Sequence, residues 1–203
     1  VHNNLGNALI RLGKFNSAVN SLEKALAIKP DFVDAHYNLG LTLQELSQLD
    51  DAVKCYEKAL AIKPDFAEAH NNLGVTLKEL IQLDDAVKSY EKAIAIKPDF
   101  AEAHNNLGIA LKELSQLDDA VKSYEKAIAI KPDYIEAHNN LGNALKDLGQ
   151  IDRAIKYLEK TLTIKPDYAE VHNNLGITLM ELGQLDHAIN HFEKAIDIKA
   201  DYT

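Results

Sequence analysis

Two side-chain ladders run through this sequence of 203 residues. His2, His36, His70, His104, His138 and His172 follow one another at intervals of 34. Asn4, Asn38, Asn72, Asn106, Asn140 and Asn174 keep the same interval two residues later. Five of these asparagines follow another one, at Asn3, Asn71, Asn105, Asn139 and Asn173, whereas Asn38 follows Tyr37. An imidazole can take up a proton or hold a metal ion. A primary amide carries two donors and an acceptor, which match the C=O and N–H of a peptide unit.

Metal chemistry fails on spacing. Equivalent residues on stacked helices lie about 10 Å apart, while Zn–N bonds measure about 2.0–2.1 Å, so two rungs cannot share an ion. Each ladder histidine is read instead as a semi-buried packing residue. His187 and His191 are spaced i,i+4 and can chelate. No third ligand accompanies them, so no metal site is expected beyond adventitious binding. No nucleophile, base and orienting group stand together, and there is no Gly-rich phosphate loop. The Asp and Glu residues read as helix caps and solvated faces, and Cys55 falls where Ser89 and Ser123 stand in other repeats. No enzyme activity and no cofactor are expected of this chain.

The elements that position the ladders follow from the period. Pro30, Pro64, Pro98, Pro132 and Pro166 recur with it, and residues 67–100 and 101–134 differ only at Val75/Ile109, Thr76/Ala110, Ile81/Ser115 and Phe100/Tyr134. Repetition at this length marks a solenoid whose units bury their apolar faces against their neighbours. The units are 1–32, 33–66, 67–100, 101–134, 135–168 and 169–202 of a single array. Within residues 67–100, a first helix is predicted over 67–80 with His70, Leu73, Gly74, Leu77 and Leu80 on its buried face. Asp65 and Glu68 are spaced as a capping box. A short turn, Ile81-Gln82-Leu83, carries glycine at the matching positions Gly13, Gly149 and Gly183, as a left-handed helix end prefers. Asp84 is expected to cap a second helix over 84–97 and to pair with Lys88. Ala86, Val87, Tyr90, Ala93 and Ile94 form its buried face. The fold class predicted is all-α.

Leu73-Gly74, Ala86-x-x-x-Tyr90-x-x-Ala93 and Pro98 at a period of 34 resemble the tetratricopeptide repeat family. The resemblance spans the whole chain. The chain departs from the family in replacing its leading Trp by the histidine ladder and a first-helix Tyr by Leu9, Leu43, Leu77, Leu111, Leu145 and Leu179. It implies a right-handed superhelix of antiparallel helix pairs whose first helices line a concave groove for peptides or partner proteins.

Glu68, Asn72, Val75 and Glu79 form a second stripe on the first helix, facing away from the packed one, and the resemblance places it in that groove. The asparagine ladder is similar to that in the repeat array of O-linked N-acetylglucosamine transferase, which implies a grip on the backbone of an extended polypeptide. The residues allow two readings of the ladder: binding to a ligand's backbone, or bonding to neighbouring repeats and water. The candidate groove residues are Asn4, Asn38, Asn72, Asn106, Asn140 and Asn174 with Asn71, Asn105 and Asn139, and side-chain preference is assigned to Val75, Ile109, Lys78 and Lys112. The family's carboxylate clamp needs Lys before the rung. Asn or Tyr stands there, so a chaperone-tail ligand is not expected.

The expected function is a protein-interaction scaffold. The alternative is the substrate-recruiting arm of a larger enzyme, a glycosyltransferase or sulfotransferase, whose catalytic domain lies elsewhere. A net charge of −9 disfavours nucleic acid and anionic lipid, which call for Lys/Arg stripes. No apolar run approaches the ~20 residues of a membrane helix. One cysteine excludes an internal disulfide and fits a reducing, cytoplasmic setting. Val1 aligns with Ala35 and Thr203 opens a seventh unit, so a piece of a longer array is expected. Terminal units with unmatched apolar faces, Tyr202 among them, are expected to give weak end-to-end self-association.

Overall fold

The computed structural model describes residues 1–200; Tyr202 and Thr203 lie outside the described residues. Twelve helices and no strand are found among the described residues. The first helices of the repeats are α1 (His2–Arg11), α3 (Val33–Glu45), α5 (Ala67–Glu79), α7 (Ala101–Glu113), α9 (Ile135–Asp147) and α11 (Ala169–Glu181). The second helices are α2 (Phe15–Ile28), α4 (Leu49–Ile62), α6 (Leu83–Ile96), α8 (Leu117–Ile130), α10 (Ile151–Ile164) and α12 (Leu185–Ala200). The all-α class and the pairing of helices are those read from the period. Backbone proximity gathers the chain into two units, Val1–Ala103 and the part from His104 on. In the first, α1 packs on α2, α2 on α3, and so on to α6; in the second, the same succession runs from α8 to α12.

Each pair is locked by one close approach. Tyr56, Tyr90 and Tyr124 are almost wholly buried, and their rings lie on Gly40, Gly74 and Gly108. Small residues, Ala52, Ala86 and Ala120, sit at 0% exposure one helical turn earlier. The aromatic ring thus supplies the apolar area, and the glycine supplies the space.

The helix starts differ from expectation. Phe66, not Asp65, holds the half-in position before α5, and no side chain caps that helix. Asp65 is therefore one residue too early for capping, and its charge can act only on the helix dipole. The junction is ordered by other means: Lys63 Nζ lies 4.9 Å from the Phe66 ring centroid, and the contact recurs at Lys29/Phe32, Lys97/Phe100, Lys131/Tyr134 and Lys165/Tyr168. Likewise α6 begins at Leu83 with Gln82 before it. Asp84 and Asp85 then fall in the first turn, and Lys88 pairs at 2.8 Å with Asp85 rather than Asp84. The pair is exposed and repeats at Asp51/Lys54 and Asp119/Lys122; pairs of this kind contribute little individually.

The turn between the helices is as expected, but only half of its copies carry the favoured residue. Gly13, Gly149 and Gly183 have positive φ, as do Ser47, Ile81 and Ser115. Around Ile81, Gln82 N–H donates to Leu77 C=O and Ile81 N–H to Lys78 C=O, both at 2.9 Å, which is a Schellman closure. A β-branched residue in the left-handed region is strained. Ile81 is 82% exposed and buries little in return. Ile81→Gly should therefore raise stability by about 0.5–1 kcal/mol after allowing for the freer unfolded chain. A higher melting temperature checks this; a lower one would show that Ile81 makes contacts worth more than its strain.

Candidate asparagine-ladder interface

The ladder asparagines sit on the first helices because the 3.6-residue period places Asn72 between the buried stripe of His70, Leu73 and Leu77 and solvent. Asn38, Asn72, Asn106, Asn140 and Asn174 are half-buried, and Asn4 is exposed. Val75, Ile109, Lys78 and Lys112 are half-buried on the same helices. Asn71, Asn105 and Asn139 differ from them: they are 1%, 4% and 5% exposed. They lie beneath the half-buried rungs.

At three places the second asparagine of one repeat is linked to the first of the repeat before it. Asn38 Nδ2 donates to Asn3 Oδ1 at 3.2 Å, Asn140 Nδ2 to Asn105 Oδ1 at 3.1 Å, and Asn174 Nδ2 to Asn139 Oδ1 at 3.4 Å. Where Tyr37 replaces the first asparagine, its hydroxyl oxygen accepts from Asn72 Nδ2 at 2.9 Å. The offset is always 35, and the same offset joins Gln44 to Glu79 and Lys112 to Asp147. Bonding between repeats, one of the two readings open from the sequence, is thus present in the structure. Sequence reasoning missed the division of labour within each Asn-Asn pair. The signal for it was Tyr37, a residue that can accept from an amide but cannot replace one in shape.

Backbone bonds stiffen the rungs further. Thr42, Thr76 and Thr178 hydroxyls donate to the carbonyls of Asn38, Asn72 and Asn174 at 2.7, 2.9 and 2.7 Å. After its inter-repeat bond, the amide of Asn38, Asn140 or Asn174 retains its Oδ1 and its second N–H. The inter-repeat bond holds each of these amides in place.

The histidine ladder is structural. His36, His70, His138 and His172 are 3–8% exposed. Their Nε2 atoms lie 2.8, 3.0, 2.9 and 2.9 Å from the carbonyl oxygens of Pro30, Pro64, Pro132 and Pro166. A carbonyl only accepts, so Nε2 carries the proton and Nδ1 is bare. In His36, His70 and His138 that Nδ1 is buried without a partner. Burial holds the His70 pKa below its ordinary value, and Lys92 adds to the shift. His172 Nδ1 meets His191 Nδ1 at 2.9 Å, which requires His191 to donate. His187 turns to Gln184 instead, so the i,i+4 histidines do not converge. Among the described residues no group of three or more His, Cys, Asp or Glu is arranged to hold a metal. The buried Cys55 thiol is pushed up to about 11 by burial, which keeps it protonated and unreactive. Among the described residues no helix is long and apolar enough to cross a membrane.

Family models described as TPR repeat match residues 6–47, 45–80, 82–115 and 110–149, and one described as tetratricopeptide repeat matches 133–201. The chain belongs to the tetratricopeptide repeat family. A tetratricopeptide repeat array is a scaffold for protein interaction. No curated protein matches the sequence. Among solved structures, the chain is similar to MamA at 28% identity and TM-score 0.77, covering 81% of this chain and 96% of that one. PilF of Pseudomonas aeruginosa superposes with TM-score 0.82 at 24% identity over 94% and 86% of the two chains. YrrB, described as a TPR protein with an unusual peptide-binding site, does so with TM-score 0.74 at 24% identity over 89% and 93%. The latter two likenesses are of fold alone.

Proposed function

We propose that this tetratricopeptide repeat chain binds an extended segment of a partner protein along its asparagine ladder. The observation that carries the reading is the pre-set amide: Asn38, Asn140 and Asn174 each give one N–H to the preceding repeat and keep one donor and one acceptor. That pair is what a ligand's peptide unit needs. Asn4, Asn72 and Asn106 occupy the same register. Asn71, Asn105 and Asn139 act beneath them as positioning residues. First helices of neighbouring repeats are spaced about 8–10 Å and an extended chain rises about 3.3 Å per residue, so within either unit each rung meets every third ligand residue. A polyproline-type segment has 3 residues per turn, about 3.1 Å each, and presents the same face to successive rungs of a unit. Val75, Ile109, Lys78 and Lys112 then grade side chains, with Lys112 already engaged by Asp147.

The test is affinity for extended peptides in the triple variant Asn38→Ala/Asn140→Ala/Asn174→Ala, measured well below melting. Three neutral hydrogen bonds of roughly 0.5–1.5 kcal/mol predict a loss of tenfold or more. Melting temperature should also fall, since the buried Asn3, Asn105 and Asn139 lose hydrogen-bond partners. Unchanged affinity with lowered melting would assign the ladder to repeat packing alone.

A further inference from the structure

We propose that Tyr37 receives an arginine of the bound segment, which stacks on its ring and pairs with the carboxylates of Glu68 and Glu102. The inference rests on the ladder reading above and adds to it a ligand chemistry and a register. It starts from the break in the ladder: Tyr37 stands where the other five repeats have asparagine. Asn3, Asn71, Asn105 and Asn139 are buried at that position, whereas Tyr37 is half-buried. Its ring packs on Phe66 at 4.7 Å between centroids and lies 6.0 Å from Tyr56. Its hydroxyl accepts from Asn72 Nδ2. These contacts hold the ring beside a rung and leave part of it open to solvent.

The charge around this ring is negative. Glu68 precedes Asn72 by four residues on α5, so carboxylate and amide share one helix face. Glu102 stands one period on and is exposed. Burial first, then the charges of Glu68 and Glu102, raise the Tyr37 pKa against the bond from Asn72, so both carboxylates act at the hydroxyl. Asp34 and Asn38 repeat the spacing of Glu68 and Asn72. The unit Val1–Ala103 thus offers an amide for a ligand's backbone and, one turn earlier, a carboxylate for a cationic side chain. Lys97 Nζ lies 3.3 Å from Glu68 Oε1 and takes up part of that charge, which makes Glu102 the carboxylate to remove in a test. The cluster already sets a cation on a ring, since Lys63 Nζ lies over Phe66. Arginine suits Tyr37 better than lysine: its planar cation stacks on an aromatic face, and its fork of donors fits a carboxylate.

Fluorescence anisotropy compares two proline-rich peptides of about ten residues, identical except for arginine or citrulline at the centre. Citrulline keeps the plane and loses the charge. The arginine peptide should bind about tenfold tighter in about 0.05 M salt, and the gap should shrink in about 0.5 M salt as the carboxylates are screened. Tyr37→Asn restores the ladder residue and an acceptor for Asn72; it should narrow the gap to about threefold. Glu102→Gln, at an exposed position that leaves the fold intact, should do the same, and the two together should close it. Equal affinities for the wild-type protein overturn the proposal; if the Asn38→Ala/Asn140→Ala/Asn174→Ala variant then weakens both peptides alike, the ladder reading stands without it. A gap that neither substitution narrows puts the arginine elsewhere and also overturns it. A gap that both narrow, with affinity unchanged in the triple asparagine variant, keeps the arginine site and overturns the ladder. Binding of neither peptide overturns both.

Discussion

Gly74→Ala should destabilise the fold by about 1 kcal/mol net, although alanine is the better helix former by about 1 kcal/mol. A Cβ at Gly74 would stand 2.7 Å from Tyr90 Cε1, 2.8 Å from Cδ1 and 3.0 Å from Cζ. The ring has no open space to swing into, since Tyr90 is fully buried. Overpacking of this kind costs roughly 1–3 kcal/mol, occasionally more, and here it outweighs the propensity gain. Gly40 and Gly108 meet Tyr56 and Tyr124 in the same way and should respond alike. Gly149 is the control: nothing lies within 4 Å of its would-be Cβ, and its φ of +72° alone resists substitution. The decisive measurement is a double-mutant cycle by thermal or urea unfolding. Tyr90→Ala by itself should cost about 3–5 kcal/mol. In that background Gly74→Ala should cost nothing and recover part of the loss, an interaction energy well outside additivity. Additive losses would show that Gly74 is needed for its backbone and not for the space it leaves.

Much of this fold was legible because each unit repeats its own instructions. The spacing of Leu73, Gly74, Leu77, Ala86, Tyr90 and Ala93 placed both helices within about a residue of their observed bounds, which is ordinary scatter for helix ends. The caps were less legible. Asp65 and Asp84 satisfy a capping pattern, yet the chain enters α5 through Phe66 and α6 through Gln82. Tertiary contacts decide the entry: Lys63 covers the Phe66 ring, and His70 takes the Pro64 carbonyl. A local pattern cannot register either. The ladder was visible as a list of asparagines but not as a structure. Adjacent residues on a helix point about 100° apart, and only the packing of one repeat on the next determines that Asn105 goes under while Asn140 stays on top. The inter-repeat offset of 35 rather than 34 expresses that tilt, and no single repeat contains it.

Acidification should lower the melting temperature between about pH 6.5 and pH 5, above the range in which surface carboxylates titrate. His70 gives its Nε2 proton to the Pro64 carbonyl and holds a bare, buried Nδ1. A second proton would sit on that nitrogen with no acceptor. Burial lowers the His70 pKa first, and Lys92 reinforces it against the bond to Pro64. Burial also lowers that of His191, with His172, Lys194 and His187 adding repulsion. Glu57 shares the cleft beside His70 with Lys92 and Ser89, and Glu159, Asp167 and Asp197 share that beside His191, yet both histidines are held below their ordinary value. The unfolded chain takes up these protons near pH 6.5 and the folded chain only at lower pH. Over that interval the unfolded state holds more protons, so stability falls as pH falls. Above pH 6.5 both states are neutral at these residues and the contribution is complete. Below the folded pKa the loss stops growing. His70→Gln keeps a donor toward Pro64 and removes the titration, and His191→Ser restores the residue type of Ser89 and Ser123. Each should flatten the melting profile over this window, whatever it does to stability at pH 7.5. An unchanged slope in the double variant would place the acid response elsewhere, and a wild-type melting temperature constant from pH 7.5 to 5 would show that His70 and His191 accept protons in the fold as readily as in the open chain.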